Sequence, residues 1–210
     1  MIGIIDYGMG NLHSVQNALR RLGVDYFLSE KKEELAAADA LLLPGVGAFK
    51  DAMHALKENG MDTFIRESVQ AGKPLLGICL GMQLLFEESE ENGLTDGLNL
   101  LPGRVVRFPG IEYKVPHMGW NQLIVKQPGS PLLQNLSSDY VYFVHSYFVK
   151  TDDQNVLIAT SDYHEEVPAI VGKDHIFGAQ FHPEKSSTAG VEILKNFANY
   201  VERRKADATV

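Results

Sequence analysis

The single cysteine of the chain, Cys79, lies in the sequence GICLG, with a glycine two residues before it and another two residues after it. This spacing is typical of a nucleophile elbow, a strained strand-to-helix turn that exposes a reactive side chain while the glycines let neighbouring backbone pack closely. A helix N-terminus would favour the thiolate, the nucleophilic form of the sulfur. The N–H of Leu80 would point to where an oxyanion forms. A buried structural cysteine is the alternative that this motif leaves open.

A second motif, FGAQFHPE at residues 177–184, offers the base that a thiol nucleophile needs. Pro183 should end the strand and hold the chain extended, so that the side chains of His182 and Glu184 point to the same side. Glu184 would then hydrogen-bond the imidazole and fix its tautomer. With Cys79 as nucleophile, these residues predict a Cys-His-Glu triad. Taken alone, the motif also fits a histidine that closes a strand beside a solvated glutamate.

The loop PGVGAF, residues 44–49, follows another apolar run. Because the loop follows a predicted strand, as Cys79 does, we expect it at the same carboxyl edge of the sheet. Ligands bind at this edge in open α/β folds. Its two glycines would allow a backbone N–H to turn toward the sulfur as a second oxyanion donor. A tight turn without a role in catalysis fits the loop as well.

The elements that must position these residues divide into two halves, and in the first, up to about residue 100, apolar runs alternate with amphipathic segments. The apolar runs predict strands at IGII (2–5), DYFLS (25–29), ALLLP (40–44) and KPLLGIC (73–79). Helical spacing predicts helices from Leu12 to Leu22 with Gly23 as the stop, at KKEELAAA (31–38), around Phe49, Met53 and Leu56, and at LGMQLLFEES (80–89). The acidic run EESEE (87–91) is interpreted as a solvated face of the last helix. Fully apolar strands between helices predict an α/β fold whose mostly parallel sheet is flanked by helices.

The second half is rich in predicted strands. They are RVVRF (104–108), WNQLIV (120–125), YVYFVHSYFV (140–149), NVLIATS (155–161), PAIVG (168–172) and IFGAQF (176–181). GKDH (172–175) predicts a hairpin turn, so this half should extend the same sheet in antiparallel or mixed fashion. A closing helix is marked by Val191, Leu194, Ala198 and Val201, and RRKADATV (203–210) is expected to fray. No linker divides the chain, and residues 1–210 are predicted to form one domain.

Composition excludes several classes of function. The 210 residues carry a formal net charge of −8, which leaves no basic surplus for nucleic acid. The first residues lack the features of a cleaved signal, and no apolar run approaches the roughly 18 residues that span a bilayer, so a cytoplasmic protein without membrane contact is expected. A single cysteine precludes an intrachain disulfide and agrees with a reducing compartment.

Cofactor motifs are missing from the sequence. GMGNLH (8–13) has His13 where the dinucleotide fingerprint needs its third glycine. The histidines show no HExxH-type spacing, and with one cysteine a metal site is not expected. No cofactor is predicted.

Together, GICLGMQ, FHPE and PGVGAF resemble the class I (triad) glutamine amidotransferases, and the resemblance covers nearly the whole chain. Within that family, DYGMGNL (6–12) and PHMGWN (116–121) are similar to the glutaminase subunits of imidazole glycerol phosphate synthase, an enzyme of histidine biosynthesis. The resemblance implies the flavodoxin-like fold of this family.

The resemblance also implies a role for individual residues. Cys79 would be the nucleophile, His182 the general base and then acid, and Glu184 its orienter. Oxyanion donors would come from the backbone of Leu80, Val46 and Gly47. Glutamine would be held by Gly47, Gln83, Glu91, His145, Ser146 and Tyr147. The residues that face a partner and line the ammonia exit would be Asn11, Trp120 and Lys185. Gln83 and Glu91 are expected on the helix after the cysteine. From the sequence alone, Trp120 fits an ordinary core aromatic equally well.

The implied activity is hydrolysis of L-glutamine to glutamate and ammonia. The ammonia would pass to a separate (β/α)8-barrel cyclase subunit in a heterodimer, a lyase-type synthase that forms imidazole glycerol phosphate and AICAR. A barrel needs about 250 residues, more than this chain offers, so the cyclase is expected on another polypeptide. Two alternatives stand beside this interpretation: a stand-alone cysteine hydrolase or peptidase, and a non-catalytic α/β module with a redox-reactive thiol.

Overall fold

A computed structural model describes residues 1–136 and 139–208 of the protein. Within these ranges the strands are β1 (Ile2–Ile5), β2 (Tyr26–Ser29), β3 (Ala40–Leu43), β4 (Leu75–Ile78), β5 (Glu88–Ser89), β6 (Thr95–Asp96), β7 (Arg104–Arg107), β8 (His117–Gln122), β9 (Ile124–Val125), β10 (Tyr140–His145), β11 (Tyr147–Lys150), β12 (Leu157–Asp162), β13 (Glu166–Lys173) and β14 (Ile176–Ala179). The α-helices are α1 (Leu12–Arg21), α2 (Lys32–Ala36), α3 (Phe49–Glu58), α4 (Met61–Gln70), α5 (Leu80–Gln83) and α6 (Ser187–Asp207). Single 3₁₀ turns lie at Pro131–Leu133, Gln154–Val156 and Pro183–Lys185.

The central sheet has the strand order β2-β1-β3-β4-β14-β13-β12-β9. Its first five strands are parallel to one another, and antiparallel pairing begins between β14 and β13. The remaining pairs, β13 with β12 and β12 with β9, are antiparallel too. The predicted parallel sheet and its antiparallel extension are therefore confirmed, as is the turn that joins β13 to β14.

Alternate residues of the parallel strands face opposite sides, which explains why these strands are apolar throughout. On one side, Ile4, Leu42 and Leu76 pack with residues of α1 and α6 such as Leu19 and Phe197. On the other side, apolar strand residues pack with side chains of α2, α3 and α4; this set includes Ile5, Leu41, Leu43, Leu75, Leu35, Met53, Leu56 and Ile65. Helices on both faces make the sheet the middle layer of the fold.

The helix α1 illustrates how local sequence sets these elements. The Asn11 side chain caps its N-terminus by accepting a hydrogen bond from the Ser14 N–H at 3.4 Å. Val15 and Leu19 are buried on one face. The helix ends before Gly23, whose φ of 66° lies in the left-handed region that favours glycine. The predicted helix and its stop are confirmed.

Among the described residues, two smaller sheets lie outside the central one. β10 pairs with β8, whereas β11 belongs to the sheet β11-β7-β5-β6. The single strand predicted over YVYFVHSYFV is therefore wrong, because the chain changes sheets at Ser146. Apolar and aromatic residues flank the break on both sides, so the β propensity of the sequence predicts one continuous strand.

The helix predicted over residues 80–89 is also wrong. α5 ends at Gln83, and Glu88 then pairs with β7 in a strand. Leu84, Leu85 and Phe86 are all fully buried, and three consecutive buried side chains do not fit one face of a surface helix. The acidic run at 87–91 is consequently strand and loop rather than a helix face.

Two further differences concern helices. The sequence interpretation contains no helix at α4, although Ile65 and Val69 form its buried face. At the other end, α6 continues to Asp207, so the fraying expected from Arg203 onward is wrong up to that residue, and residues 209–210 lie outside the described part. In the described ranges, no helix combines the length and apolar character that a membrane crossing requires.

Candidate active site

Cys79 follows β4 directly, in a backbone conformation that few non-glycine residues adopt. Its φ is 54° and its ψ is −113°, a strained geometry of the kind that clusters at functional sites. The two flanking glycines are sterically required. A Cβ on Gly77 would lie 2.5 Å from the Gly81 carbonyl oxygen, and a Cβ on Gly81 would lie 1.9 Å from the Leu43 carbonyl oxygen. The glycines therefore allow the turn to pack against β3 while presenting the sulfur.

The pairing of β14 with β4 brings the second motif to this turn. The parallel register joins Ala179 to Ile78, and the N–H of Cys79 donates to the Ala179 carbonyl at 2.7 Å. Both chains thus leave the sheet at the same edge. Three residues beyond Ala179, the N–H of His182 donates to the Tyr142 carbonyl at 3.1 Å, which fixes the backbone of the histidine.

His182 and Glu184 form a buried pair. The Nδ1 of His182 lies 2.9 Å from Oε1 of Glu184, and the two side chains are 5% and 1% exposed. Within the described residues the second oxygen of Glu184 has no hydrogen-bond partner, so the imidazole is the main partner of this carboxylate. A carboxylate acceptor at Nδ1 leaves Nε2 as the ring atom available to the sulfur.

The electrostatics of the site favour a protonated imidazole. Burial by itself lowers the pKa of His182, but hydrogen bonds to Cys79 and Glu184 and the negative charges of both outweigh burial and raise the pKa to about 10. The turn α5 has only four residues, so its dipole is far smaller than that of the longer helix expected from the sequence. The charged partner of the sulfur is therefore chiefly His182 rather than a helix terminus.

The loop at residues 44–48 lies against the Cys79 turn. A Cβ on Gly45 would lie 2.9 Å from the Gly81 nitrogen and 3.0 Å from the Leu80 Cβ. Gly47 has a φ of 99°, which only glycine adopts without strain. Val46, between them, is 42% exposed and lines the cleft above the sulfur. The backbone of Val46, Gly47 and Leu80 thus borders one side of the site.

Tyr7 is a residue of this site that the sequence interpretation missed. Its hydroxyl donates to the Pro44 carbonyl at 2.7 Å, directly before the loop. Burial, and to a smaller extent the nearby charge of Cys79, raise the pKa of Tyr7, so the phenol stays protonated. Its position immediately after Asp6 at the carboxyl end of β1, the edge where Cys79 lies, is the signal that could have found it.

A cleft of about 360 Å³ opens above Cys79. Its lining includes the partner-interface candidate Lys185 and catalytic, oxyanion and substrate-binding candidates from distant parts of the chain: Val46, Gly47, Cys79, Leu80, Gln83, Glu91, His145, Ser146, Tyr147 and His182. Glu184 lies beneath the imidazole rather than on the lining, and neither Asn11 nor Trp120 lines the cleft.

Two polar side chains fix the floor of the cleft. The Nε2 of Gln83 donates to the Tyr147 carbonyl at 2.9 Å and to the Gln180 Oε1 at 3.0 Å. Gln180 in turn points its Nε2 toward the sulfur of Cys79 at 3.9 Å. Gln180 is fully buried and was not among the predicted site residues, although it lies inside the predicted FGAQFHPE segment.

Glu91 reaches the cleft from a different element than expected. It lies beyond β5 and not on a helix, and its Oε2 accepts a hydrogen bond from the Phe49 N–H at 3.0 Å. Burial raises the pKa of Glu91 although this hydrogen bond opposes the rise, and Asp51 raises it further. A cationic ligand would stabilise the charged form of a half-buried carboxylate in such a setting.

The candidate partner-facing residues lie beside the cleft. Trp120 is 54% exposed and Met118 is 61% exposed on the same face of β8, so Trp120 is not a core aromatic. Lys185 is exposed at the cleft rim. Asn11 is partly buried, and its side chain caps α1. Exposed apolar side chains next to a site are typical of an interaction surface.

Comparisons with known proteins agree with this geometry. The sequence model of the family described as "Glutamine amidotransferase class-I" matches residues 3–200. The imidazole glycerol phosphate synthase subunit HisH of Halalkalibacterium halodurans is 62% identical over 208 residues, covering 97% of each chain. HisH of Bacillus subtilis (strain 168) is 56% identical over 210 residues, covering 98% of this chain and 99% of that one.

Solved structures support the fold. One reported as a glutamine amidotransferase matches with a TM-score of 0.76 at 23% identity, covering 96% of this chain and 98% of its own. PurLQS from Thermotoga maritima matches with a TM-score of 0.73 at 19% identity, covering 95% and 98%. The predicted fold class is confirmed, and the chain belongs to the class-I glutamine amidotransferases and, among them, to the HisH subunits of imidazole glycerol phosphate synthase.

Proposed function

We propose that this protein is a glutaminase that hydrolyses L-glutamine to glutamate and ammonia through a thioester on Cys79. The observation that carries the proposal is the arrangement of three side chains. The sulfur of Cys79 lies on a strained turn and is hydrogen-bonded to the buried imidazole of His182, which the buried carboxylate of Glu184 orients. Family membership supports the choice of an amide substrate. The described residues would act together as one glutaminase domain.

In the first half-reaction, the thiolate of Cys79 attacks the side-chain amide carbon of glutamine. The carbonyl electrons move to oxygen, and this oxyanion is stabilised by N–H groups of Leu80 and of the Val46–Gly47 segment. His182 then gives its proton to the amide nitrogen as the C–N bond breaks. Ammonia leaves, and the acyl group remains on sulfur.

In the second half-reaction, the now neutral His182 accepts a proton from water, whose oxygen attacks the thioester carbon. The C–S bond breaks, glutamate forms, and the site returns to thiolate and imidazolium. Glu184 holds Nδ1 of the ring throughout, so that Nε2 faces sulfur and substrate. The raised pKa of His182 suits the acid step of the first half-reaction.

The glutamine backbone groups would occupy the other end of the cleft. Burial raises the pKa of Glu91 because it disfavours the charged carboxylate. This carboxylate would bind the ammonium group of the substrate, and the ion pair would offset the cost of desolvating the charge. The backbone at His145, Ser146 and Tyr147 would bind the carboxylate end. Gln83 supports this segment through its bond to the Tyr147 carbonyl.

A cyclase subunit with a (β/α)8 barrel would receive the ammonia. Ammonia must stay unprotonated to react, so it should move through a water-poor passage rather than bulk solvent. The exposed Trp120 and Met118 beside the cleft, together with Lys185 and Asn11, are suited to docking of such a partner in a heterodimer. A cytoplasmic location would fit this biosynthetic role.

The test is to measure glutamate production by the purified chain under three conditions: alone, with the cyclase added, and with the cyclase and its ligand added. We expect turnover to depend on the partner, and the complex to make imidazole glycerol phosphate from glutamine. Rapid peptide cleavage by the lone chain would favour a stand-alone peptidase. Glutamine left intact by the saturated complex would contradict the proposal and favour the redox-module alternative.

A further inference from the structure

Two buried histidines next to the cleft form a directional chain of hydrogen bonds. The Nδ1 of His145 lies 2.8 Å from the Tyr147 carbonyl oxygen, which can only accept, so this nitrogen carries a hydrogen. In a neutral ring the Nε2 is then bare, and it accepts from the Nδ1 of His117 at 2.9 Å. The Nε2 of His117 accepts in turn from the side-chain amide of Asn121 at 3.2 Å. Both rings are therefore Nδ1–H tautomers.

The surroundings keep both rings neutral. Burial lowers the pKa of His145 to about 3 and that of His117 to about 4. The His117 ring lies between Phe143 and Tyr163, with ring centroids 4.4 and 4.0 Å away. These aromatic faces hold the plane of the His117 ring in place.

The chain connects the buried face of β8, which carries His117 and Asn121, with the floor of the cleft. At one end, the Asn121 amide also donates to the Asp162 carbonyl at 2.8 Å, and His117 belongs to the strand that exposes Met118 and Trp120. At the other end, the Tyr147 carbonyl receives Gln83 as well as His145. The same carbonyl is thus held from the nucleophile side and from the β8 side.

We propose that His117 is a positioning residue for glutamine binding, which holds the backbone at Ser146 and Tyr147 in place through His145 and makes β8 a structural part of the glutaminase site. The proposal rests on the proposed function, because it assigns the carboxylate end of the substrate to this backbone. His117 itself does not line the cleft, so it acts only through its neighbour.

A kinetic test separates the hydrogen bond from ring packing. His117→Phe keeps an aromatic ring between Phe143 and Tyr163 but leaves Nε2 of His145 without a hydrogen-bond donor. In His117→Asn, the side-chain amide nitrogen would occupy the position of Nδ1 and supply that donor. In the cyclase complex we expect His117→Phe to raise KM for glutamine about tenfold while kcat changes less than about threefold. His117→Asn should recover most of this loss. The exposed His54→Gln is the control.

Thermal unfolding of each variant is measured alongside. A wild-type KM in His117→Phe would overturn the proposal. So would equal KM values for the Phe and Asn variants at equal melting temperatures, because the donor would then be irrelevant.

Imidazole ¹⁵N spectra of the wild-type complex test the tautomers without any assay of activity. We expect hydrogen on Nδ1 and not on Nε2 in both His117 and His145, with each ring assigned in the wild-type protein by correlating its side-chain signals with the backbone. An Nε2–H tautomer in either ring would overturn the chain of hydrogen bonds, even if the variants fail to fold. If the complex does not consume glutamine, the proposed function fails, but the spectra still decide the arrangement of the rings.

Discussion

The two halves of the central sheet contribute to the candidate site in different ways. Four of the five parallel strands, β1 to β4, which we call the parallel half, contribute backbone geometry: the strained turn at Cys79 and the loop at residues 44–48, which Tyr7 anchors. The half that begins at β14, with the two small sheets, contributes titratable side chains such as His182 and Glu184. Neither half contains a complete site.

The difference teaches where reactivity comes from in this fold. The parallel half sets positions through steric fit, because glycines bring backbone close to the sulfur. The other half sets charge, because its buried imidazole and carboxylate stabilise one another. The hydrogen bond from the Cys79 N–H to the Ala179 carbonyl, at 2.7 Å, joins the two contributions at the sheet edge.

The largest expected effect comes from removing one reactive group from each half. Cys79→Ala and His182→Ala should each lower glutamine-dependent synthesis at least about 10⁴-fold, and the double variant should lose no more than either single one, because the two residues act as a unit. Steady-state rates of the cyclase complex measure this. Synthesis from added ammonium is the control and should be retained. Additive losses would show that the halves work separately.

Glu184→Gln should lower kcat about 10²- to 10³-fold, because a neutral amide no longer stabilises the imidazolium or fixes its tautomer. The pKa of His182 is raised from 6.5 to about 10 in the folded protein. Its contribution to the free energy of unfolding is therefore complete below about pH 6.5 and disappears as the pH rises through about 10. Glu184→Gln should lower the pKa of His182, so this contribution should disappear at a lower pH than in the wild type. Denaturant unfolding across that pH range measures the difference.

The control for that variant is Glu58→Gln, which removes the carboxylate of an exposed histidine pair, His54 and Glu58 at 3.3 Å. Exposed pairs contribute little. Equal effects of the two substitutions on the pH dependence of unfolding would contradict a special role for the buried pair.

Trp120→Ala should weaken binding of the cyclase about 30-fold, as expected for an exposed aromatic anchor of an interface. Titration calorimetry with the purified cyclase measures this, and the melting temperature of the free chain should not change. Leu94→Ala, at a side chain that is 67% exposed in the loop between β5 and β6, is the control. If both variants bind alike, the partner docks elsewhere.

Gly47→Ala should lower kcat about tenfold, since a left-handed φ of 99° strains alanine and shifts the oxyanion loop. Gly23→Ala introduces comparable strain at a φ of 66°, with open space around the new methyl group, far from the cleft. Both variants should lose about 1–3 kcal/mol of stability. Only the first should lose activity, and a similar kcat for the two would argue against this loop as a donor of oxyanion hydrogen bonds.

Short-range features of the site were predictable from the sequence. Glycines two residues on either side of Cys79 predict the tight turn because residues without a Cβ let neighbouring backbone pack closely. His182 and Glu184 meet because side chains two apart in an extended chain share a side. The parallel strands were predictable as well, since burial on both faces demands apolar residues at every position.

Features that depend on distant partners were not predictable in this way. The end of α5 at Gln83 is imposed by the burial of Leu84, Leu85 and Phe86 and by pairing of β5 with β7. Likewise, the break at Ser146 follows from the pairing of β10 and β11 with different sheets. Helical periodicity and β propensity describe only a residue's own neighbourhood, so they miss both.

The sequence by itself determined the succession of strands along the parallel half, the elbow at Cys79 and the local contact between His182 and Glu184. Only the tertiary structure decided that Tyr7 anchors the loop, that Gln180 approaches the sulfur and that His117 bonds His145. These pairs are separated by 37, 101 and 28 positions. Contacts over such distances form only when the sheet brings its carboxyl edge together, because no local preference of the chain specifies them.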